Sequence, residues 1–155
     1  EISCSLVGSE MCIRDSNYSG TGSKLVLSLF ARDILLGDEI EHLDNPNTIT
    51  LTGYICKPPV YRTTPFSREI ADILLAVNRS YGKSDYIPCI VWGRNAKFAS
   101  TLEVGAHIQI SGRIQSREYQ KKYEDGSSET KTAYEVSVSK LDVLEEKDSS
   151  PSFTV

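Results

Sequence analysis

From Thr48 the chain alternates strictly, with Ile49, Leu51, Gly53 and Ile55 set against Thr50, Thr52, Tyr54 and Cys56, until Pro58-Pro59 stops the run. A period of two over that length predicts a strand with one buried face. Tyr86 to Trp92 is a short apolar run of β-branched and aromatic residues, which predicts a second strand. His107 to Arg117 sets Ile108, Ile110, Gly112 and Ile114 against Gln109, Ser111 and Arg113. The glycine in mid-run predicts a bulge or bend there. Thr132 to Leu141 alternates through Tyr134, Val136 and Val138 and closes a long hairpin across a charged loop, Gln120 to Lys131, centred on Asp125-Gly126. Asn95 to Leu102 reads as a short helix. Phe66 to Arg79 satisfies two periods at once. Ile70, Ile73, Leu74 and Val77 make a helical stripe, while Ala71, Ile73, Leu75 and Val77 make a strand face. Periodicity alone favours the helix slightly.

If that stretch is a strand, the order is all-β: five strands with one short helix between the third and fourth, which is the order of an OB-fold barrel. The flanks read differently. Residues 24–34 form a strand pattern with Leu25, Leu27 and Leu29 on one face, and a lone strand has to pair with something. Residues 36–46 are acidic and end at Asn45-Pro46, a linker composition, and residues 142–155 form an acidic, Ser-rich tail. Residues 1–16, with Ser5-Leu6-Val7-Gly8-Ser9-Glu10-Met11-Cys12-Ile13-Arg14-Asp15, resemble the translated read-through of a sequencing adapter, and are expected to be a non-native scar.

Charge sharpens this division. The chain of 155 residues has a formal net charge of −4, which by itself would argue against a polyanionic partner. Residues 47–140, however, carry 13 Lys/Arg against 9 Asp/Glu, and the acidity lies in the flanks. A basic middle between acidic ends points toward nucleic acid. No apolar run reaches the ~18 residues a membrane span needs. Of the four cysteines, Cys56 and Cys89 sit in strand-like runs and read as small buried hydrophobes, the usage of a reducing cytoplasm. No Cys-x-x-Cys pair occurs, and His42 and His107 have no metal-ligand spacing, so neither metal nor cofactor is expected. Nucleophile-elbow and phosphate-loop motifs are absent, which leaves an enzymatic reading without support.

An ordered series of motifs then becomes specific. Asn47-Thr48-Ile49-Thr50-Leu51-Thr52-Gly53 is followed by Arg62-Thr63-Thr64-Pro65, Leu75-Ala76-Val77-Asn78-Arg79 and Tyr86-Ile87-Pro88-Cys89-Ile90-Val91-Trp92-Gly93-Arg94-Asn95-Ala96. Val104-Gly105, Ile110-Ser111-Gly112-Arg113-Ile114-Gln115-Ser116-Arg117-Glu118-Tyr119 and Tyr134-Glu135-Val136 complete it. Over residues 47–141 this series resembles the bacterial single-stranded DNA-binding protein family. The resemblance places residues 68–78 at the family's second strand and so decides against the helical stripe. Arg68 to Arg79 and Lys83 to Ile90 look closer still to a clostridial-type subgroup with two OB-like domains in tandem. Residues 17–35 would then be the remnant of a truncated first domain.

The resemblance implies a non-enzymatic protein that binds single-stranded DNA without sequence preference in replication, recombination and repair, in the cytoplasm at the nucleoid. It also implies a homo-oligomer, typically a tetramer. Such binding needs flat aromatic faces for unpaired bases and cations for phosphates. The family's stacking positions fall on Tyr81, Tyr86, Trp92 and Tyr119. The cations that flank them or follow the barrel rim are Arg62, Arg79, Arg94, Arg113, Arg117, Lys121 and Lys122. Arg68 is set aside as a structural partner of Glu69 and Asp72. The family's acidic tail with a Pro-Phe tip is not matched by Pro151-Ser152-Phe153, so recruitment of replication and repair proteins through it is not expected. Two rival readings remain at this stage: a primosome-accessory or protein-interaction OB module, which need not keep all four aromatics, and an RNA-binding OB domain.

Overall fold

The computed structural model describes residues 5–13, 27–35 and 45–144. The tail from residue 145, most of the acidic linker and the glycine-containing loop over residues 17–23 lie outside the described residues. The chain order is β1 (Ser5–Ile13), β2 (Leu27–Leu35), β3 (Ile49–Ile55), β4 (Val60–Thr63), β5 (Glu69–Asn78), β6 (Ser84–Trp92), α1 (Arg94–Ser100), β7 (His107–Lys122) and β8 (Ser128–Val143).

Strands β3 to β8 form one sheet in the order β3-β7-β8-β6-β5-β4, and an additional β3–β5 pairing closes five of them into a barrel with β4 left outside on β5. The β6–β8 pair is parallel and the others are antiparallel. This bears out the five-stranded OB fold with a helix between its third and fourth strands. Residues 69–78 are a strand. The helical stripe arises because the strand is apolar on both sides: Ala71, Ile73 and Leu75 enter the core, while Ile70 is equally buried on the opposite face, where it is the register partner of Trp92.

Closing the barrel requires two glycines. A Cβ on Gly53 would stand 2.3 Å from the carbonyl oxygen of Ala76, and one on Gly112 would stand 2.0 Å from that of Ser137. Gly53 marks the place where β3 leaves β7 for β5. Gly112 marks the predicted bulge, with a register shift between Ser111 and Gly112.

The interior is Ile55, Ala71, Ile73, Leu75, Ile87, Cys89, Val91, Ile108, Ile110, Val136 and Val138, closed at one end by Ala96 and Ala99 of α1. Full burial of each large aliphatic side chain contributes roughly 1.5–3 kcal/mol, against less than about 1 kcal/mol for an exposed ion pair, so the core holds the barrel together. Cys89 is buried as expected, and burial pushes its thiol pKa up. Cys56 is only half-buried, because the run turns outward toward Pro58, and its Sγ donates to the Leu74 carbonyl at 3.2 Å.

Two features differ from the sequence reading. The double proline interrupts the first strand without ending pairing, since Val60–Thr63 resumes as β4 along β5. The charged stretch 120–131 is mostly strand: β7 and β8 stay paired out to Lys122 and Ser128, leaving only Tyr123–Ser127 as the turn. Its polar composition reflects a hairpin solvated on both faces. Residues 5–13, within the stretch read as non-native, pair antiparallel with β2, from Ser5 opposite Leu35 to Ile13 opposite Leu27, a pairing that does not bear on their origin.

Candidate nucleic-acid interface

Side chains alternate along a strand, and register partners share a face. In β6, Ile87, Cys89 and Val91 point inward, which turns Tyr86, Pro88 and Trp92 outward. At ~3.3 Å per residue, Tyr86 and Trp92 stand about 20 Å apart along the strand. The parallel register sets Ser137 of β8 beside Ile90, and Ser137 in turn pairs with Arg113 of β7. By the same alternation Gln115, Arg117, Tyr119 and Lys121 continue this face along β7. On the other side, Ile70 opposes Trp92 and Arg62 opposes Ile70. One outer surface of the β4-β5-β6-β8-β7 sheet therefore collects Arg62, Tyr86, Trp92, Arg113, Arg117, Tyr119 and Lys121.

The aromatics are presented in different ways. Trp92 is half-buried, and its Nε1 donates to Ser137 Oγ at 3.0 Å, which fixes the indole edge while leaving a face outward. Tyr86 is 44% exposed and Tyr119 41% exposed. Tyr81 is 92% exposed in the tight β5–β6 turn, where Gly82 takes φ +70° and Arg79 N–H donates to the Lys83 carbonyl at 2.7 Å. This turn joins β5 and β6 at the Tyr86 end of the sheet.

The cations fall into distinct groups. Arg113 lies on the aromatic face, is exposed and has no ion pair among the described residues. Lys121 is on the same face, 5.3 Å from the Tyr123 ring centroid. Arg62 and Arg117 are on it too, but are held by carboxylates. Arg62 Nε donates to Asp72 Oδ2 at 2.7 Å, and this hydrogen bond raises its pKa. Arg117 lies 3.4 Å from Glu135, which is only 5% exposed and also accepts from Gln115 Nε2 at 2.9 Å. Arg79 and Lys122 are not brought to this face: Arg79 grips Asp85 at the end of the barrel, and Lys122 points to the other side of the hairpin. Arg94 is the exposed first residue of α1, two residues after Trp92.

The sequence reading missed Arg68. Both carboxylates assigned to it are engaged elsewhere, Asp72 by Arg62 and Glu69 by Lys97 at 3.0 Å. Arg68 instead lines an open groove of about 610 Å³ with Thr63, Ser67, Glu69, Trp92 and Gly93. Glu69 is held below its ordinary pKa by a hydrogen bond from Tyr61 and then by Lys97. Among the described residues, no cluster of His, Cys, Asp and Glu could hold a metal ion, and no helix is long and apolar enough to cross a membrane.

Known proteins share the family and the fold. Among curated relatives, Single-stranded DNA-binding protein 1 of Staphylococcus aureus (strain COL) is 37% identical over 81 residues, which are 48% of this chain and 48% of that protein. The chain spans about half the length of the curated relatives it matches. Two solved structures share the fold. The wild-type single-stranded DNA-binding protein of Thermus aquaticus aligns with a TM-score of 0.67 at 20% identity, covering 88% of this chain and 57% of that one. The dimeric N-terminal domain of the PriB protein from Thermoanaerobacter tencongensis aligns with a TM-score of 0.50 at 24% identity, covering 64% and 98%. The model of the Single-strand binding protein family matches residues 46–144, the whole barrel with its hairpin, and the chain belongs to that family.

Proposed function

We propose that this protein binds single-stranded DNA without sequence preference on the outer surface of the β4-β5-β6-β8-β7 sheet. The observation that carries this reading is the shared face: Tyr86, Trp92 and Tyr119 lie among Arg62, Arg113, Arg117 and Lys121, with Tyr81 in the turn at the Tyr86 end. Unpaired bases stack on the rings, each stack contributing about 1–3 kcal/mol, and every base has a π-face, so the grip is indifferent to sequence. The guanidinium and ammonium groups take the phosphates and release counterions. Glu135, buried beneath Gln115 and Arg117, orients the Arg117 guanidinium on the surface. Asp72 does the same for Arg62.

Trp92 is the only tryptophan, so its fluorescence reports on the site directly. Titration with oligo-dT is expected to give saturable quenching. The affinity should fall with salt at a slope of log K against log salt of about −3.5 if five cations are engaged, at ~0.7 per contact on single strands. No quenching, or quenching indifferent to salt, contradicts the proposal.

The assembly belongs to the same reading. A homotetramer is the expected state, and sedimentation equilibrium giving a monomer would refute it. Residues 17–35 are read as the remnant strand of a preceding OB-like domain, joined through the acidic stretch 36–46. Two observations support this. Strand β2, although paired with β1, leaves Leu29, Phe30 and Ile34 exposed, as a two-stranded piece of a larger sheet would. The likeness to the Thermus aquaticus protein also covers 88% of the chain, more than residues 45–144 can supply.

A further inference from the structure

The four aromatic positions end at Trp92, but the surface continues beyond it. Strand β5 begins at Glu69, and Gly93 N–H still donates to the Glu69 carbonyl at 2.9 Å, so the β5–β6 ladder runs one step past Trp92. Arg68 directly precedes β5, two residues from Ile70, the partner of Trp92, and lines a groove together with Trp92. The groove between Arg68, Ser67, Thr63 and Trp92 holds about 610 Å³, room for a nucleotide, and is open to solvent.

The β4–β5 turn shapes the far wall. Thr64 N–H donates to the Arg68 carbonyl at 2.8 Å, Ser67 N–H to the Thr64 carbonyl at 2.9 Å, and Arg68 N–H to Thr64 Oγ1 at 3.1 Å. Ser67 is held at φ +58°, a conformation that side-chain-bearing residues seldom adopt. This tight turn presents Phe66 at 86% exposure, the most exposed phenylalanine among the described residues. Phe66 is thus a large apolar ring held out in water two residues from Arg68, and Arg68 has no carboxylate partner among the described residues.

We infer that Phe66 and Arg68 form a further nucleotide subsite, in which a DNA strand leaving Trp92 stacks its next base on Phe66 and sets its phosphate against Arg68. This rests on the single-strand binding proposed above. Glu69 does not repel the phosphate, because Lys97 and the Tyr61 hydroxyl already hold its carboxylate.

The test uses the full chain and oligo-dT of graded length, with Trp92 quenching as the readout. Arg68→Ala is expected to lower the salt slope by about 0.7, the value for one phosphate contact, and Arg68→Lys to retain it. Phe66→Ala is expected to weaken binding roughly fivefold or more, with Phe66→Tyr restoring it and Phe66→Leu not. Both alanine variants should also shorten the length of oligo-dT at which affinity stops rising. Thermal unfolding of each should match the parent, since neither side chain enters the core. If the parent chain binds while Arg68→Ala keeps its slope and Phe66→Ala its affinity, the subsite is refuted and the main surface stands. If the parent chain does not bind, both readings fall.

Discussion

The two ends of the aromatic surface are built on different supports. At the barrel end, Trp92 lies over a sheet whose inner side is fully packed, above the buried Ile70 and with its indole nitrogen tied to Ser137. At the other end, Tyr119 stands on a two-stranded hairpin, Arg117–Lys122 against Ser128–Ala133, which has left β3 and β6 behind and is largely solvated. Asn47 clamps the point of departure: its side-chain amide donates to the Ile114 carbonyl at 2.8 Å and accepts from Ile114 N–H at 3.0 Å, standing in for one more ladder residue of β3. The lesson is a division of labour. In the proposed binding, the barrel offers a ring already in position, so little ordering entropy opposes stacking, while the hairpin offers a ring and cations on a solvated support.

Breaking the joint between the two ends should have the largest effect. Gly112→Ala puts a Cβ against the Ser137 carbonyl, and overpacking of this kind costs about 1–3 kcal/mol. Urea unfolding should show that loss, and DNA affinity should drop along with it because the hairpin's direction changes. Next comes Trp92→Ala, expected to weaken binding by about 2–3 kcal/mol, the upper range for a stacked base, when read by anisotropy of a labelled oligo-dT. Tyr119→Ala should cost nearer 1 kcal/mol and leave the unfolding midpoint where it was, since the hairpin is exposed. Equal losses at Trp92 and Tyr119 would erase the contrast between the ends. A smaller effect is expected from Arg113→Ala, which should reduce the salt slope by ~0.7.

The smallest effect concerns pH. In the hairpin, Glu129 is held below its ordinary pKa first by the Tyr123 hydroxyl and then by Lys131, and Asp125 by the side chain and backbone of Ser127. A carboxyl whose folded value is lowered adds stability above its unfolded value and loses it as pH falls through the folded one. Amide exchange should therefore show the hairpin tip loosening below about pH 4 while the barrel strands stay protected.

The barrel could be read from the sequence wherever one face of a strand meets the core and the other meets water. Residues 49–55 and 107–117 announce themselves by alternation, and Gly112 by its place within it. Where that contrast fails, so does the reading. Strand β5 is apolar on both sides because Trp92 lies over its outer face, and the resulting stripe imitates a helix. The hairpin is polar on both sides, so its strands imitate a loop. All four aromatics are legible through the resemblance, and three of them fall on one sheet face with the fourth in the exposed turn at its Tyr86 end. The state of the cations was not legible, because ion pairs depend on register. Nothing in the local sequence gives Asp72 to Arg62, ten residues away, or Glu135 to Arg117, eighteen away, and so nothing revealed that Arg68 would be left to face the groove.

The central claim is that DNA lies on the outer surface of the β4-β5-β6-β8-β7 sheet, and photocrosslinking tests it most directly. Oligo-dT carrying 5-iodouracil, irradiated in complex with the full chain and mapped by mass spectrometry, should form adducts at Trp92, Tyr86, Tyr119 and Tyr81. Adducts confined instead to Tyr54, stacked on His107 across the barrel, or to Tyr134 on the hairpin's other side would contradict it.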